Sequence, residues 1–221
     1  MNHISTSHHP DHAALKRLLA ERNQFPERAH EIDASIRKSF ERTIAILNLD
    51  MCGFSRLTAK HGIIHYMAMI YQMEQAAVPA VLGNGGTVIK QEADNLYAIF
   101  PDPVHALEGA LDIFRAFAAM NAVLPDDRAI YGSVGIGFGD TLIIDHDDMF
   151  GNEMNLACKL GEDLAEKMEI LLTPAAFAML PVDHYVFKPK SFAISGMEMC
   201  CHAFEKSLFP DLDGDTAAVG V

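Results

Sequence analysis

The stretch VIKQEADNLYAIF, residues Val88 to Phe100, predicts two short β-strands joined by a tight bend. β-branched and aromatic residues dominate both of its ends, which is typical of strands that pack on a core. The bend itself carries Lys90, Glu92 and Asp94, although Asn and Gly would turn the chain more easily. Three charges at this joint therefore point to a role beyond turning the chain.

The segments around this hairpin alternate between strand and helix patterns. TIAILNLD, Thr43 to Asp50, predicts a buried strand, and a helical pattern from Cys52 stops at the turn GNGG. After the hairpin come a helix begun by Pro103, a Gly-rich strand pair or long bent strand, another helix, the strand EILLT and a small β addition. This order predicts an α+β fold, a ferredoxin-like sandwich with helices on one face of a mostly antiparallel sheet.

We divide the chain into three parts. Residues 1–42 form an N-terminal tail and helical extension, in which the helical pattern is broken at Pro26. Residues 43–206 form the main domain, and residues 207–221 form a flexible C-terminal tail. The His-rich opening MNHISTSHHPDH predicts a flexible polar tail rather than a metal site, because its histidines come with no other ligand type.

Composition excludes several classes of function. The chain has 221 residues, of which 50% are hydrophobic, so it can bury one substantial core. Its net charge of −13 argues against nucleic acid or an anionic membrane as a partner, since both attract basic surfaces. The four cysteines match neither a disulfide framework nor a zinc knuckle, which favours the reducing cytoplasm. No signal pattern or spanning apolar run is present, so we expect a soluble protein.

Two aspartates end neighbouring segments of the predicted sheet. Asp50 closes the first strand and Asp94 lies in the hairpin bend, so adjacent strands could bring their carboxylates together. Two such groups repel unless a cation lies between them, and Mg²⁺ or Mn²⁺ usually occupies oxygen-lined sites. Alternatively, Asp50 caps the helix that begins near Phe54, and Asp94 makes an Asx-type turn. The residues alone leave both interpretations open.

A second polar cluster lies in DDMFGNEMNLACKL. Asn155 and Lys159 are four residues apart on a predicted helix, so both side chains emerge on one face. Asp148 lies in the loop before this helix. The three groups can reach one ligand, or they can form a solvated helix face on which Lys159 pairs with Asp163.

Three fragments, in order, resemble the catalytic domain of class III adenylate and guanylate cyclases over roughly residues 43–204. LDMCGFSRL matches the family's aspartate followed by a Gly-Phe-(Ser/Thr) turn. GGTVIKQEADNLYAIF matches a Gly-Gly turn that leads into a strand with Lys-x-x-Gly-Asp. DMFGNEMNLACK matches Asp-x-x-Gly-x-x-x-Asn-x-x-x-Arg except at its last position.

The resemblance implies an adenylate cyclase that makes 3′,5′-cyclic AMP and pyrophosphate from ATP. It places two Mg²⁺ or Mn²⁺ ions per active site on Asp50 and Asp94. It implies that Lys90 and Asp148 bind the nucleobase and that Phe54 contributes to substrate binding. It further implies that Asn155 positions the ribose and that Lys159 stabilises the transition state. In such cyclases the metal aspartates and the remaining groups come from different subunits, which implies a homodimer with two interfacial sites.

The sequence departs from the family pattern at three places. Ala93 replaces a Gly, which is tolerable only if that backbone is not at positive φ. Lys159 replaces an Arg and cannot present a planar fork to two phosphate oxygens. Ser195-Gly196 replaces a Lys-Gly turn, although Lys188 or Lys190 could substitute. Two alternatives therefore stay open: a weak or inactive nucleotide-binding regulatory module, and a cyclase that uses GTP or a pyrimidine nucleotide.

Overall fold

The computed structural model describes residues 11–145, 147–181, 183–194 and 197–207, without the side chains of residues 54–57, 194 and 197. The predicted flexible tails therefore lie mostly outside the described residues. The helices are α1 His12–Gln24, α2 Ala29–Phe40, α3 Phe54–His61, α4 Ile63–Gly83, α5 Pro103–Asn121, α6 Asn152–Cys158 and α7 Pro174–Phe177. The strands are β1 Glu41–Met51, β2 Thr87–Glu92, β3 Asn95–Phe100, β4 Gly132–Ile144, β5 Asp148–Phe150, β6 Ile170–Leu172, β7 Tyr185–Ile194 and β8 Met197–Ser207.

One mixed sheet organises the described chain, in the order β2-β3-β1-β4-β6-β8-β7, with β5 paired to β4. All strand pairs are antiparallel except β4 with β6. The α+β fold class is therefore confirmed. The Gly-rich segment is the single long strand β4, and the C-terminal β7–β8 hairpin extends the sheet through β6.

Helices cover both faces of the sheet, so the prediction that they lie on one face is wrong. α4 and α5 bury apolar residues with Leu47 and Leu49 on one face. On the other face α6 packs against β4, where a Cβ at Gly135 would lie only 1.9 Å from the carbonyl oxygen of Ala157. A Cβ at Gly137 would lie 2.5 Å from the carbonyl oxygen of Glu153. The glycines of β4 thus let α6 approach the sheet, because no side chain stands between the two backbones.

The N-terminal extension is an α-helical hairpin packed where the central strand β4 ends and β1 begins. A 3-10 turn at Pro26–Arg28 joins α1 to α2, at the predicted break. Ile36 and Phe40 of α2 pack with Ile144 at the end of β4. The extension is therefore anchored to the domain through apolar contacts.

Three further differences from the sequence pattern concern the helices. The helical stretch after β1 is split at Gly62, whose φ is +85°. The helix predicted to carry Asn155 and Lys159 is α-helical only to Cys158 and continues as a π-helical segment, Lys159–Leu164. The short helix α7 was not predicted. Within the described residues, no helix combines the length and the apolar character needed to cross a membrane.

Candidate active site

The two predicted metal aspartates lie together at one end of the sheet. Asp50 in β1 pairs with Asn95, the first residue of β3, and the Met51 amide donates to the carbonyl oxygen of Asp94 at 3.2 Å. The Tyr66 hydroxyl, from α4, donates to Oδ2 of Asp94 at 2.9 Å. The hairpin bend is thus tied both to the end of β1 and to α4, which fixes the position of Asp94.

Unfavourable electrostatics surround the carboxylate of Asp50. Burial, together with the negative charges of Asp94, Glu162 and Asp163, raises the pKa of Asp50 from its ordinary value near 3.8 to about 7. The helix-capping alternative does not describe Asp50, because the N-cap of α3 is Gly53, without a side-chain hydrogen bond. Carboxylate oxygens that repel one another suit a hard divalent cation, so the residues present fit the implied metal ions.

Ala93, beside Asp94, adopts the conformation for which the family uses glycine. Its φ is +53°, in the left-handed region. A Cβ in this region costs about 1 kcal/mol relative to glycine. Alanine is therefore not a neutral replacement for glycine at position 93. The strained backbone of the bend that carries Asp94 lowers the stability of the folded state.

Lys90 and Asp148, predicted to bind one base, contact each other. Lys90 Nζ in β2 donates to Oδ1 of Asp148 in β5 at 2.9 Å, and this hydrogen bond is the main cause that raises the pKa of Lys90. The same ammonium lies 3.5 Å from Oε2 of the exposed Glu92 and 5.2 Å from the centroid of the Tyr97 ring. Glu92 is thus a surface acid in an ion pair with Lys90. The charged residues of the hairpin therefore contribute to the Lys90 site as well as to the aspartate pair.

The structure places Asn155 and Lys159 at the two ends of one helical turn. Asn155 is exposed on α6, and Lys159 Nζ forms an ion pair with Asp163. That ion pair is the alternative that the sequence left open. α6 is held by Glu153, whose Oε2 accepts hydrogen bonds from the Phe138 amide at 3.2 Å and the Thr173 hydroxyl at 2.7 Å.

A third acidic group, which the sequence reasoning missed, connects the two clusters. Glu162 Oε1 accepts from the Tyr97 hydroxyl at 3.2 Å and from Asn48 Nδ2 at 3.3 Å. Burial is the main cause that raises the pKa of Glu162. Asn48 is fully buried, two residues before Asp50 on the same face of β1. The sequence signal that could have revealed this network is Asn48, a polar residue inside an otherwise apolar run.

The remaining predicted residues are less informative. Phe54 begins α3, but its side chain is not described. Ser195 and Gly196 lie outside the described residues. Lys190 Nζ forms an ion pair with Glu169, and Lys188 is exposed, so only Lys188 is left as an uncommitted cation of the two.

Comparison with known proteins found adenylate and guanylate cyclases among sequences and solved structures. No protein-family model matches the chain. A Rhizobium meliloti (strain 1021) protein named "Putative adenylate cyclase 3" is 35% identical over 132 residues, which is 60% of this chain and 22% of that protein. An adenylate cyclase of Streptomyces coelicolor is 30% identical over 138 residues, 62% of this chain and 34% of that protein. The chain thus spans between a fifth and about a third of the length of these relatives.

Solved structures share the fold. The adenylate/guanylate cyclase/hydrolase of Silicibacter pomeroyi has a TM-score of 0.62 and 24% identity, covering 74% of this chain and 95% of that one. The adenylyl cyclase CyaB of P. aeruginosa has a TM-score of 0.60 and 19% identity, covering 76% and 95%. The named relatives, the shared fold and the three ordered motifs agree. Together they support a cyclase catalytic domain in this chain, with the fold of the adenylate and guanylate cyclase structures.

Proposed function

We propose that this domain converts ATP to 3′,5′-cyclic AMP and pyrophosphate at the interface of a homodimer. The observation that carries the proposal is the placement of Asp50 and Asp94, which converge at the end of β1 and repel each other. Similarity to proteins named adenylate cyclase supports the reaction class. The choice of ATP, the metal ions, the dimer and a cytoplasmic location are our predictions.

Asp50 and Asp94 would hold two Mg²⁺ or Mn²⁺ ions. Bound there, divalent ions supply positive charge that lowers the pKa of the ribose 3′-hydroxyl and offsets the charge of the triphosphate. The protein contributes the orientation of the carboxylates, since the Tyr66 hydroxyl and the Met51 amide fix the side chain and the backbone of Asp94. This preorganisation reduces the rearrangement needed during the reaction.

The contact between Lys90 and Asp148 supports a preference for adenine. It places a hydrogen-bond donor beside an acceptor, which complements the ring N1 acceptor and the exocyclic amine of adenine. Guanine presents a carbonyl oxygen and an N–H at the corresponding positions, so it would pair Asp148 with another acceptor. Cytosine presents the same order as adenine, and CTP is therefore the pyrimidine nucleotide most compatible with this pair.

Residues of the α6 segment would bind the ribose and stabilise the transition state. In the reaction the ribose 3′-oxygen attacks the α-phosphorus, a new P–O bond forms, and pyrophosphate leaves with the electrons of the broken bond. Asn155 would orient the ribose, and the Lys159 ammonium would stabilise charge on the transferring phosphoryl group. Lys159 keeps the charge of an arginine without its fork, which predicts turnover about ten- to a hundred-fold below that of an arginine enzyme.

One observation favours a second candidate, a nucleotide-binding module with little or no turnover. Lys159 is engaged with Asp163, so phosphate stabilisation requires the ammonium to share or leave this partner. A site that retains Asp50, Asp94, Lys90 and Asp148 could still bind a nucleotide. Both candidates bind a nucleotide, but only the cyclase forms a cyclic product.

A nucleotide panel tests the proposal. Purified protein is incubated with ATP, GTP, CTP and UTP in Mg²⁺ or Mn²⁺, and cyclic products are identified by mass. We expect cyclic AMP from ATP, and we expect Asp50→Ala and Asp94→Ala to abolish it. Asp126→Ala is the control, because this exposed acid lies in the 3-10 turn before β4, outside both polar clusters, and its loss should leave product formation largely intact.

The panel also separates the alternatives. ATP binding by calorimetry without any cyclic product would support the binding module instead. A higher rate with GTP or UTP than with ATP would contradict the role of Lys90 and Asp148 in base choice. Product that persists in Asp94→Ala would refute the assignment of the metal pair.

A further inference from the structure

A second group of metal-ligating side chains lies at the junction of α3 and α4 and shares no residue with the candidate active site. His61 ends α3, His65 lies in the first turn of α4, and Asp127 lies in the 3-10 turn Asp126–Arg128 that precedes β4. One potential ligand atom from each of the three lies within 4.8 Å of the other two. The junction of two consecutive helices thus meets a turn that lies 62 residues further along the chain than His65.

The orientation of His65 suits metal binding. Its Nε2 lies 3.0 Å from the main-chain carbonyl oxygen of Asp127. A carbonyl can only accept, so Nε2 carries the proton and Nδ1 is left with a free lone pair. Metal-binding histidines are commonly held by a hydrogen bond of this kind from the nitrogen that does not bind the metal.

The ring of His61 supplies a second, independent observation. Its Nε2 is buried and has no hydrogen-bond partner among the described residues, an arrangement that costs free energy. Its ring stacks on the ring of His65, with centroids 4.7 Å apart and an interplanar angle of 29°. The stacking holds the two imidazole rings side by side, next to Asp127.

We propose that His61, His65 and Asp127 bind one divalent transition metal ion of the Zn²⁺ class. Two imidazole nitrogens and one carboxylate oxygen are a common three-ligand set for zinc, with water in the fourth position. Ligand atoms in such a site lie about 3.3 Å apart, given metal–ligand bonds of about 2.0–2.1 Å. Asp127 is exposed, so rotation of its side chain can bring a carboxylate oxygen closer to the two imidazole nitrogens. The ion would tie the start of α4 to the loop before β4.

The ligand type separates this site from the carboxylate pair. Imidazole nitrogen selects zinc, cobalt or nickel, whereas Mg²⁺ prefers oxygen ligands alone. The inference does not rest on the proposed function, because it uses none of the nucleotide-site residues. Its test can therefore use metal binding as the readout, without any assay of turnover.

The test is a zinc titration of the full chain by calorimetry, in excess Mg²⁺. The parent protein carries H3N, H8N and H9N, so that three of the four histidines in the first twelve residues cannot contribute to the zinc signal. We expect His61→Gln, His65→Gln and Asp127→Asn each to lose one zinc equivalent or to weaken its Kd at least about tenfold. Asp126→Asn and His105→Gln are matched controls outside the cluster and should bind zinc like the parent.

Two further measurements complete the test. Zn²⁺ should raise the melting temperature of the parent and should not raise that of Asp127→Asn, because an ion that binds only the folded state stabilises it. Circular dichroism in EDTA checks that each variant is folded, and the exposed position of Asp127 makes its variant the safest in this respect. Unchanged zinc stoichiometry and affinity in both His61→Gln and Asp127→Asn would overturn the proposal.

Discussion

Replacing Asp50 with Asn should stabilise the metal-free protein while abolishing its activity. The structure places this carboxylate in a partly buried position beside Asp94, Glu162 and Asp163, which raises its pKa from near 3.8 to about 7. Asn keeps the size and polarity of the side chain and removes the charge. The substitution therefore isolates the energetic cost of an ionised Asp50 in the absence of a cation.

Proton linkage determines whether the stability difference grows or shrinks with pH. Between pH 4 and pH 7 the folded state binds more protons at Asp50 than the unfolded state does, so ionisation destabilises the fold as the pH rises. Each tenfold change in proton affinity is worth about 1.4 kcal/mol, which gives an upper limit of about 4 kcal/mol. Because Asp50 is only partly buried, solvent screening reduces this to about 2 kcal/mol at pH 8 and about 0.5 kcal/mol at pH 4.5.

The assay is urea denaturation of both proteins in EDTA at several pH values. The free energy of unfolding of Asp50→Asn should exceed that of the parent by a margin that grows with pH. Asp126→Asn, an exposed acid in the 3-10 turn, is the control and should show no such trend. A variant that is less stable than the parent, or a difference independent of pH, would refute the reasoning.

Three other substitutions test the fold and the site. Ala93→Gly should raise the free energy of unfolding by about 1 kcal/mol, because φ is +53° there, and a loss of stability in urea would contradict the strained bend. Lys159→Arg should raise kcat at least about tenfold in a cyclic-nucleotide assay, whereas Lys159→Ala should lower it, and equal rates would place Lys159 away from phosphate. Gly135→Ala should cost about 3 kcal/mol or more in thermal unfolding, since its Cβ would overlap the Ala157 carbonyl oxygen, whereas Gly83→Ala has open space and should be neutral or stabilising.

Local sequence signals predicted most of the elements that position the site. The apolar run from Thr43, the β-branched hairpin ends and Pro103 at the first position of α5 each act within a few residues, so they can be read directly from the sequence. The positions of Asp50 and Asp94 followed from the same logic, because the two residues end neighbouring strands.

The features that the sequence did not reveal depend on distant contacts. α6 lies on the opposite face because Gly135 and Gly137 remove side chains from one side of β4, and the placement of a helix on a face is not encoded locally. The hydrogen bond between Asn48 and Glu162 spans 114 residues, and that between His65 and Asp127 spans 62. Contacts at such separations are set by the complete fold rather than by any single motif.

The dimeric site can be tested most directly by mixing two inactive variants. Asp94→Ala lacks part of the metal pair, and Asn155→Ala lacks the ribose contact, so each variant alone should be inactive. If each site takes these two residues from different chains, an equimolar mixture in which subunits exchange should regain about a quarter of the parent activity, because half of the dimers contain one intact site of two. A mixture as inactive as its components, from variants that are folded and dimeric, would contradict a catalytic site built from two chains.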